Sequence, residues 1–347
     1  MSRAMTAARP LETASRPQRV YPRKATSTRV GTLRHSQAPK PSVPLLGVIG
    51  DISEDIVVFQ SHPLAHGTDT PSRVVRTRGG SAANLAAVAA TLLPTRFIGC
   101  VGPDRTGRFV AEALEQEGVE VRVTTGSRSC SIIVLISPDG ERTMLPDRAA
   151  NAELHFADIP SEWLDDLSAL HITTYSLEGG PTTESCFAAM ARVATNGGLT
   201  SLDTSSVTIL KLIGEDRFME FVSQLDPDIV FANELEAATL GWDTEAPADR
   251  LLVIKHGGDP VLFRTTAGAT RIPVGEIEGV VDFTGAGDAF AAGFLAEMLT
   301  DLAVRGNPAS SVRRLKPDDP RLARWCAAAH MKASDVITKP GAGTIIG

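Results

Sequence analysis

The chain has 347 residues, of which 43% are hydrophobic and 22% charged, and its formal net charge is −7. This is ordinary globular composition for one or two domains, and the negative charge argues against nucleic acid as the main partner. The four cysteines show no CxxC or Cys/His spacing, which excludes a typical zinc site or disulfide framework and favours a cytoplasmic location, and no apolar run approaches the length of a membrane span.

The first 44 residues differ in composition from the rest. They carry nine Lys and Arg against one acid, Glu12, and are rich in Ser, Thr and Pro without a sustained apolar period. Such a segment buries too little apolar surface to fold, so we predict a disordered basic tail at 1–44 and a folded region at 45–347. The tail lacks the apolar stretch of a secretory signal.

From residue 45 onward, short apolar runs alternate with helical patterns. The predicted strands are Leu45–Ile49, Arg96–Val101, Ala169–Thr173, Leu199–Asp203, Asp228–Ala232 and Leu251–Lys255. The predicted helices include Ala82–Leu93, Arg108–Glu117, Thr183–Thr195 and Asp216–Gln224, and Leu302–Asp319 reads as a linker between two C-terminal helices. This alternation predicts an α/β fold with a mostly parallel sheet and helices on both faces.

Two segments interrupt the alternation. Asp55–Arg78 begins with a β-like run and holds no convincing helix, and Ser129–Leu145 has two extended runs around Pro138-Asp139-Gly140, a strong turn signal. We predict that about 55–78 and 129–145 form a small β-sheet that projects from the main domain as a lid. An exposed edge or apolar face of such a sheet could pair with a second copy of the chain.

Gly79-Gly80-Ser81-Ala82-Ala83-Asn84 precedes an Ala-rich stretch that is apolar nearly all round. Two glycines allow a backbone turn to approach a ligand closely, and the apolar stretch predicts a buried helix. The Asn84 amide in its first turn can donate to and accept from sugar hydroxyls. The alternative is that the glycines end a strand and Asn84 satisfies local backbone.

A second glycine turn, Asp282-Phe283-Thr284-Gly285-Ala286-Gly287-Asp288, opens another predicted helix. Its N–H groups and the helix dipole favour an anion such as a transferring phosphoryl group. A carboxylate beside that group, here Asp288, can take a proton from an incoming hydroxyl. Helix capping is the competing explanation for Asp288.

Two further motifs directly follow predicted strands. Asn233-Glu234-Leu235-Glu236 suits Mg²⁺ bound through water, although a helix cap explains this stretch equally well. Lys255-His256-Gly257-Gly258 is typical of a loop that contacts nucleotide phosphates.

Together these motifs resemble the ribokinase-like, or PfkB-type, carbohydrate kinase family over roughly residues 45–347. The GGxxxNxA stretch at Gly79–Ala86 and the DFTGAGD stretch at Asp282–Asp288 carry the resemblance. Supporting matches are Gly102-Pro103-Asp104, the NxxE pattern at Asn233 and Glu236, and Thr338-Lys339-Pro340-Gly341-Ala342. The resemblance implies a Rossmann-like three-layer αβα sandwich with a small β lid, and transfer of the ATP γ-phosphoryl group to a hydroxymethyl oxygen.

The resemblance also implies roles for single residues. Asp288 is implied as the general base, and the amides of Gly285, Ala286 and Gly287 as the anion hole. The implied substrate-binding residues are Asp55, Gly79, Gly80 and Asn84. The implied nucleotide-binding residues are Asn233, Lys255, Gly257, Thr284 and His330. Glu236 would hold Mg²⁺ through water, and Asp282, with the segment around Gly341, matches a monovalent-cation site that holds K⁺ in some members.

Three functions are compatible with this pattern. A sugar or sugar-acid kinase is favoured over a nucleoside kinase, because the chain is only 5% aromatic and Asp55–Arg78 offers one aromatic residue, Phe59, for a nucleobase. Ser81 stands where ribokinases proper carry Lys, which argues against ribose. A non-catalytic sugar sensor or scaffold ranks last, because it has no chemical need for Asp288 between intact glycines.

Overall fold

The computed structural model describes residues 43–242, 249–307 and 309–338. The prediction of a disordered tail at 1–44 and the segment around Gly341 lie almost wholly outside these residues. No helix in the described ranges combines the length and apolarity that crossing a membrane requires.

The strands of the described residues form two sheets. In chain order they are β1 (Leu46–Ile49), β2 (Ser53–Gln60), β3 (Ser72–Gly79), β4 (Thr95–Val101), β5 (Glu120–Thr125), β6 (Ser131–Ile136), β7 (Arg142–Asp147), β8 (Ala169–Thr173), β9 (Leu199–Asp203), β10 (Ile229–Asn233), β11 (Leu251–His256), β12 (Asp259–Thr265) and β13 (Gly268–Ile272). The helices are α1 (Ser81–Ala90), α2 (Arg105–Gln116), α3 (Pro181–Thr195), α4 (Val207–Ile213), α5 (Glu215–Leu225), α6 (Glu234–Thr239), α7 (Ala286–Arg305) and α8 (Pro320–Ile337). Short 3₁₀ turns connect several of them.

The main sheet has the strand order β13-β12-β11-β10-β9-β8-β1-β4-β5. Pairing is parallel from β5 through β11, and only β12 and β13 at one edge are antiparallel. The central strands are buried along nearly their whole length, as expected for strands covered on both faces. The α/β fold class predicted from the sequence is therefore confirmed.

Helices cover both faces of this sheet. α1, α2, α7 and α8 pack on one face, where Phe294 and Trp325 are fully buried. α3, α5 and α6 pack on the other face, where Met190 and Phe221 lie in the core. Apart from Ser81 and Asn84 in its first turn, α1 is apolar because it packs between the sheet and α7.

The small sheet consists of β2, β3, β6 and β7 in the order β3-β2-β6-β7. β2 pairs with β3 antiparallel and with β6 parallel, and β6 and β7 form the antiparallel hairpin predicted around Pro138-Asp139-Gly140. Successive side chains point to opposite faces, so Asp55 and Arg142 share one face, and Val74, Ile133 and Leu145 share the other.

The parallel strands of the main sheet all end at the same edge, which we call the carboxyl edge. Gly50-Asp51 follows β1, Thr173 ends β8, Asp203 ends β9, and Asn233 ends β10. Ligands bind at this edge in open parallel sheets. The fold thus collects polar side chains from four strands where the small sheet and the start of α7 also meet.

Gly80 provides a test of the local geometry at the start of α1. It has φ +101°, and a Cβ there would lie 2.5 Å from the Asp51 carbonyl oxygen. We expect Gly80→Ala to cost about 1–3 kcal/mol more than a substitution in open space, because backbone atoms would have to shift. Urea denaturation of both variants measures the difference.

Gly67→Ala is the matched control, since Gly67 has φ +79° with no atom within 4 Å of the added Cβ. Equal losses of unfolding free energy in the two variants would contradict the close approach of Gly80 to Asp51.

Candidate active site

The glycine turn 282–288 lies at the start of α7, beside the carboxyl edge. Gly285 adopts the left-handed conformation, with φ +80° and ψ 0°, and α7 begins at the next residue. A residue with a side chain is disfavoured in this conformation, so glycine allows the chain to turn directly into the helix. The first amides of α7 therefore point out of the helix toward the carboxyl edge.

Not every amide of the turn has the same freedom to bind an anion. The Ala286 N–H donates to the Phe283 carbonyl at 3.2 Å, and the Ala289 N–H donates to the Gly285 carbonyl at 2.9 Å. An anion at the turn would compete with Phe283 for the Ala286 N–H. The N–H groups of Gly285 and Gly287 are the other two anion-binding donors that the family resemblance implies.

Asp288 lies in the first turn of α7 and is half-buried. Its carboxylate accepts a hydrogen bond from the Ser81 hydroxyl at 2.6 Å and a long one, 3.5 Å, from the Asn84 amide. Burial raises the pKa of Asp288 to about 7, against the opposing effect of the Ser81 hydrogen bond. The neighbouring carboxylates of Asp203 and Asp51 raise it further, and the charge of Lys255 lowers it. A carboxylate tuned this close to neutrality can take a proton and release it again.

Asp51 was not assigned a role from the sequence, yet it fixes the start of α1. Its carboxylate accepts from the N–H groups of Ser81 at 2.7 Å and Ala82 at 3.2 Å. It also accepts from the Thr173 hydroxyl at 3.2 Å, which ties α1 to the end of β8. The available signal was its position immediately after the first strand.

Asn84 is held by a second unpredicted residue, Arg78. The Arg78 guanidinium is 1% exposed, donates to the Asn84 side-chain oxygen at 2.8 Å, and pairs with both oxygens of Glu117. With its oxygen taken by Arg78, the Asn84 NH₂ group faces Asp288. The arginine therefore sets which end of this amide faces the site.

Asp55 and Gly79 lie against each other where β2 meets β3. A Cβ at Gly79 would lie 2.2 Å from an Asp55 carboxylate oxygen, so a larger residue there would displace the Asp55 side chain. Ser53 donates to Asp55 at 2.7 Å, and burial raises the pKa of Asp55 to about 6. The two glycines of the GGxxxN motif thus allow other parts of the chain to approach closely. At Gly79 this close approach places Asp55 near the start of α1.

Asn233 and Glu236 form a capping box at the start of α6. The Glu236 carboxylate is buried and accepts from the Asn233 N–H at 2.8 Å, the Asn233 side-chain amide at 2.7 Å and the Thr204 hydroxyl at 2.6 Å. Burial raises the pKa of Glu236. Three accepted bonds leave about one lone pair of the carboxylate, which is enough to accept from one water molecule.

The described residues contain no group of three or more His, Cys, Asp and Glu side chains that could hold a metal ion. Mg²⁺ that arrives with nucleotide phosphates needs no such group, because it keeps several of its waters.

Lys255, near the end of β11, lies at one side of the site. Its ammonium pairs with the Asp203 carboxylate at 2.9 Å, and a Cβ at Gly287 would lie 3.2 Å from it. Lys255 therefore packs directly against the glycine turn. Asp203 was also missed by the sequence analysis, although it ends a strand whose bounds were predicted correctly.

Gly257 and His330 lie on the outer side of the site. Gly257 has φ +61° in the tight turn between β11 and β12, where the space around it is open. His330 is half-buried on α8, with its Nε2 3.7 Å from the position of a Cβ at Gly275. The structure does not bring either residue into hydrogen-bond contact with Asp288.

Arg142 connects the small sheet to the glycine turn. Its guanidinium donates to the Asp282 carboxylate at 2.6 Å and to the Thr284 hydroxyl oxygen. Thr284 in turn donates to Asp282 through its N–H and hydroxyl, at 2.9 and 2.8 Å. Although burial opposes it, these hydrogen bonds hold the pKa of Asp282 below its usual value. A monovalent cation at the Asp282 carboxylate would have to share it with Arg142.

The pfkB family carbohydrate kinase profile matches residues 44–346. The chain is 33% identical over 236 residues to an ATP-dependent ribose-1-phosphate kinase of Halopiger xanaduensis, covering 64% of this chain and 74% of that protein. It is 30% identical over 292 residues to a fructokinase of Salmonella typhimurium, covering 78% of this chain and 91% of that protein.

Solved structures show the same fold. A fructokinase with bound ATP from Xylella fastidiosa aligns with a TM-score of 0.71 at 22% identity, covering 86% of this chain and 93% of that one. An adenosine kinase from Sinorhizobium meliloti aligns with a TM-score of 0.71 at 20% identity, covering 88% and 97%.

We expect Arg142→Gln to loosen the small sheet without unfolding the main domain. The substitution removes the charged contacts to Asp282 and Thr284, and partly exposed charged contacts are worth about 0–1 kcal/mol each. Amide hydrogen exchange across β6 and β7 should therefore become a few-fold faster in the unliganded protein. Exchange mass spectrometry of residues 131–147 measures the change.

Arg122→Gln is the control, because Arg122 is a similarly exposed arginine that pairs with Glu120 at 2.6 Å on the main sheet. If exchange in β6 and β7 is the same in both variants, Arg142 does not hold the small sheet against the glycine turn.

Proposed function

The chain belongs to the PfkB family of carbohydrate kinases and is an ATP-dependent phosphotransferase, and we propose that its acceptor is a hydroxymethyl group of a sugar or sugar acid. The observation that carries this proposal is Asp288 at the glycine turn, with its pKa raised to about 7 and its carboxylate fixed by neutral donors. The names of the fructokinase and ribose-1-phosphate kinase relatives support sugar acceptors.

In the proposed reaction, the oxygen of the acceptor hydroxyl attacks the γ-phosphorus of ATP. Asp288 accepts the proton of that hydroxyl as the attack proceeds. The bond between that phosphorus and the β–γ bridging oxygen breaks, and ADP leaves with the electron pair. Ser81 and Asn84 orient the carboxylate through the hydrogen bonds described above. A positioned base of this kind typically contributes about 10²–10⁴-fold in rate.

The amides of Gly285, Ala286 and Gly287 stabilise the negative charge on the transferring group. The α7 dipole adds to their effect because the turn forms the N-terminus of this helix. In the proposal the Ala286 N–H exchanges its bond to Phe283 for one to the phosphoryl group.

Asp55, Gly79, Gly80 and Asn84 would contact the hydroxyl groups of the sugar. Asp55 projects from the small sheet toward the start of α1, and Asn84 presents its NH₂ group on the same side as Asp288. A sugar bound between them would lie under the small sheet, which we propose acts as a lid. Arg142 would hold that lid at the glycine turn.

On the nucleotide side, Asn233, Lys255, Gly257, Thr284 and His330 would line the ATP site. Mg²⁺, when bound with ATP, would neutralise phosphate charge, and Glu236 would reach it through water from its remaining lone pair. K⁺ at Asp282 stays a prediction of the family resemblance. A cytoplasmic location likewise stays a prediction.

A nucleoside kinase is the second candidate, because the fold matches that of an adenosine kinase as closely as that of a fructokinase. Of the aromatic residues that could stack on a base, Phe59 on the small sheet already has the Arg73 guanidinium 3.9 Å from its ring centroid. This contact covers one face of the ring, and together with the low aromatic content of the chain it favours a sugar. The sensor or scaffold alternative ranks last, because it gives no chemical reason for Asp288 to lie at the glycine turn with hydrogen bonds from Ser81 and Asn84.

We also propose that two copies pair through the outer face of the small sheet, opposite Asp55. Val74, Ile133 and Leu145 are 54%, 39% and 52% exposed there, and a contiguous apolar face favours association. Sedimentation analysis would report the mass of the assembly.

The acceptor class is tested by measuring ADP release in a coupled assay over pentoses, hexoses, sugar phosphates, keto-sugar acids and nucleosides. Turnover restricted to nucleosides would transfer the assignment to the second candidate. ATP binding without turnover on any acceptor would favour the sensor.

Asp288→Asn should lower kcat by at least about 10²-fold, because the amide cannot accept the acceptor proton. Folding should persist, since the side chain keeps its shape and its donors Ser81 and Asn84 are neutral. Steady-state kinetics and circular dichroism measure the two effects. Asp216→Asn, on an exposed carboxylate of α5, is the control, and near-normal turnover in Asp288→Asn would remove Asp288 from the base role.

The pH profile gives an independent test. A base with a pKa of about 7 is mostly protonated at pH 5 and mostly charged at pH 8, so kcat/KM should rise through a midpoint near pH 7. The Ser81 hydrogen bond lowers this pKa, so Ser81→Ala should move the midpoint to higher pH. A flat profile from pH 5 to 8, or a midpoint that moves down in Ser81→Ala, would contradict the assignment.

A further inference from the structure

Two cations lie beside the glycine turn, one from each sheet. Arg142 comes from the small sheet and is bound to Asp282 at 2.6 Å. Lys255 comes from the end of β11 in the main sheet, and its ammonium packs against the backbone at Gly287. Glycine at position 287 leaves room for the Lys255 ammonium, since a side chain there would crowd it.

The position of Lys255 is fixed by its surroundings. Its side chain is 14% exposed, its ammonium lies 6.0 Å from the centroid of the Phe231 ring, and its partner Asp203 lies across β10 on β9. Asp203 is itself anchored, since it accepts from the Ser205 N–H at 2.7 Å and its side chain is 8% exposed. The pair therefore spans two strands that are not neighbours.

Fold stability alone gives little reason for such a pair. Taking two charges out of water costs about as much as their attraction returns, and apolar replacements of buried pairs are often neutral or stabilising. Although burial opposes it, Asp203 and Glu236 raise the pKa of Lys255, so it remains an ammonium beside the turn. Asp203 thus helps to keep Lys255 positively charged at the place where phosphoryl transfer would concentrate negative charge.

Resting on the proposed kinase function, we infer that Lys255 is a catalytic residue that donates hydrogen bonds to the transferring phosphoryl group, and that Asp203 is its positioning residue. Lys255 keeps all its protons throughout. Its ammonium binds a non-bridging oxygen as the bond to the leaving oxygen breaks and the bond to the acceptor oxygen forms. This role is narrower than general nucleotide binding, because it concerns the γ-phosphoryl group and not the ADP portion.

The test compares nucleotide binding and turnover in Lys255→Met. Calorimetric titration with a non-hydrolysable ATP analogue plus Mg²⁺, and separately with ADP plus Mg²⁺, needs no identified acceptor. We expect affinity for the analogue to fall at least about tenfold while affinity for ADP changes less than about twofold. With the acceptor found by the ADP-release screen, kcat should fall about 10²–10³-fold, the effect of losing one transition-state donor.

Lys211→Met, on an exposed lysine of α4, is the control and should change neither titration. If Lys255→Met does not fold because Asp203 is left buried and unpaired, the double variant Lys255→Met with Asp203→Asn removes both charges and should show the same selective loss. Asp203→Asn alone should lower kcat more than it raises KM for ATP, and Asp203→Glu should restore part of kcat.

Equal losses for the analogue and ADP, or no loss for either, would overturn the inference while leaving the kinase proposal intact. A wild-type protein that binds neither nucleotide would instead overturn the kinase proposal itself.

Discussion

Three carboxylates, those of Asp51, Asp203 and Asp288, converge at the carboxyl edge, and the site depends on how their mutual repulsion is offset. Asp51 accepts hydrogen bonds from the first amides of α1, and Asp203 pairs with Lys255. The hydrogen-bond partners of Asp288, Ser81 and Asn84, carry no charge. Burial beside the other two carboxylates therefore raises its pKa to about 7, against the opposing effects of the Ser81 hydrogen bond and the Lys255 charge, so Asp288 can exchange a proton near neutrality.

Two helices that start at this edge face each other across the site. α1 supplies Ser81 and Asn84, α7 supplies Asp288 and the amides of the glycine turn, and the two helices pack closely over the main sheet. Their apolar faces share one core with α8. The packing that stabilises the domain is thus the same packing that sets the distances from Asp288 to Ser81 and Asn84.

The sequence predicted the centre of the fold better than its margins. β8 and β9 were predicted to the residue because both strands are buried along their whole length and each ends at a polar residue, Thr173 or Asp203. β5 and β13 were missed because they are edge strands that are only partly buried and follow no continuous apolar run. β12 is an inner strand, and it was missed because its buried run, Val261-Leu262-Phe263, is short. The glycine turn was found because its signal is local. Arg142 was missed because its contact with Asp282 joins residues 140 positions apart.

The order of strands in the small sheet has a consequence for how the chain acquires its structure. β2 pairs in parallel with β6, and α1, β4, α2 and β5 all lie between them in the chain. Such a pairing closes a long loop and lowers the conformational entropy of the chain. Contacts made by the intervening elements are needed to offset this loss. During synthesis from the N-terminus, β2 and β3 are made before β6, so the small sheet can be completed only after α1, β4, α2 and β5 have also been made.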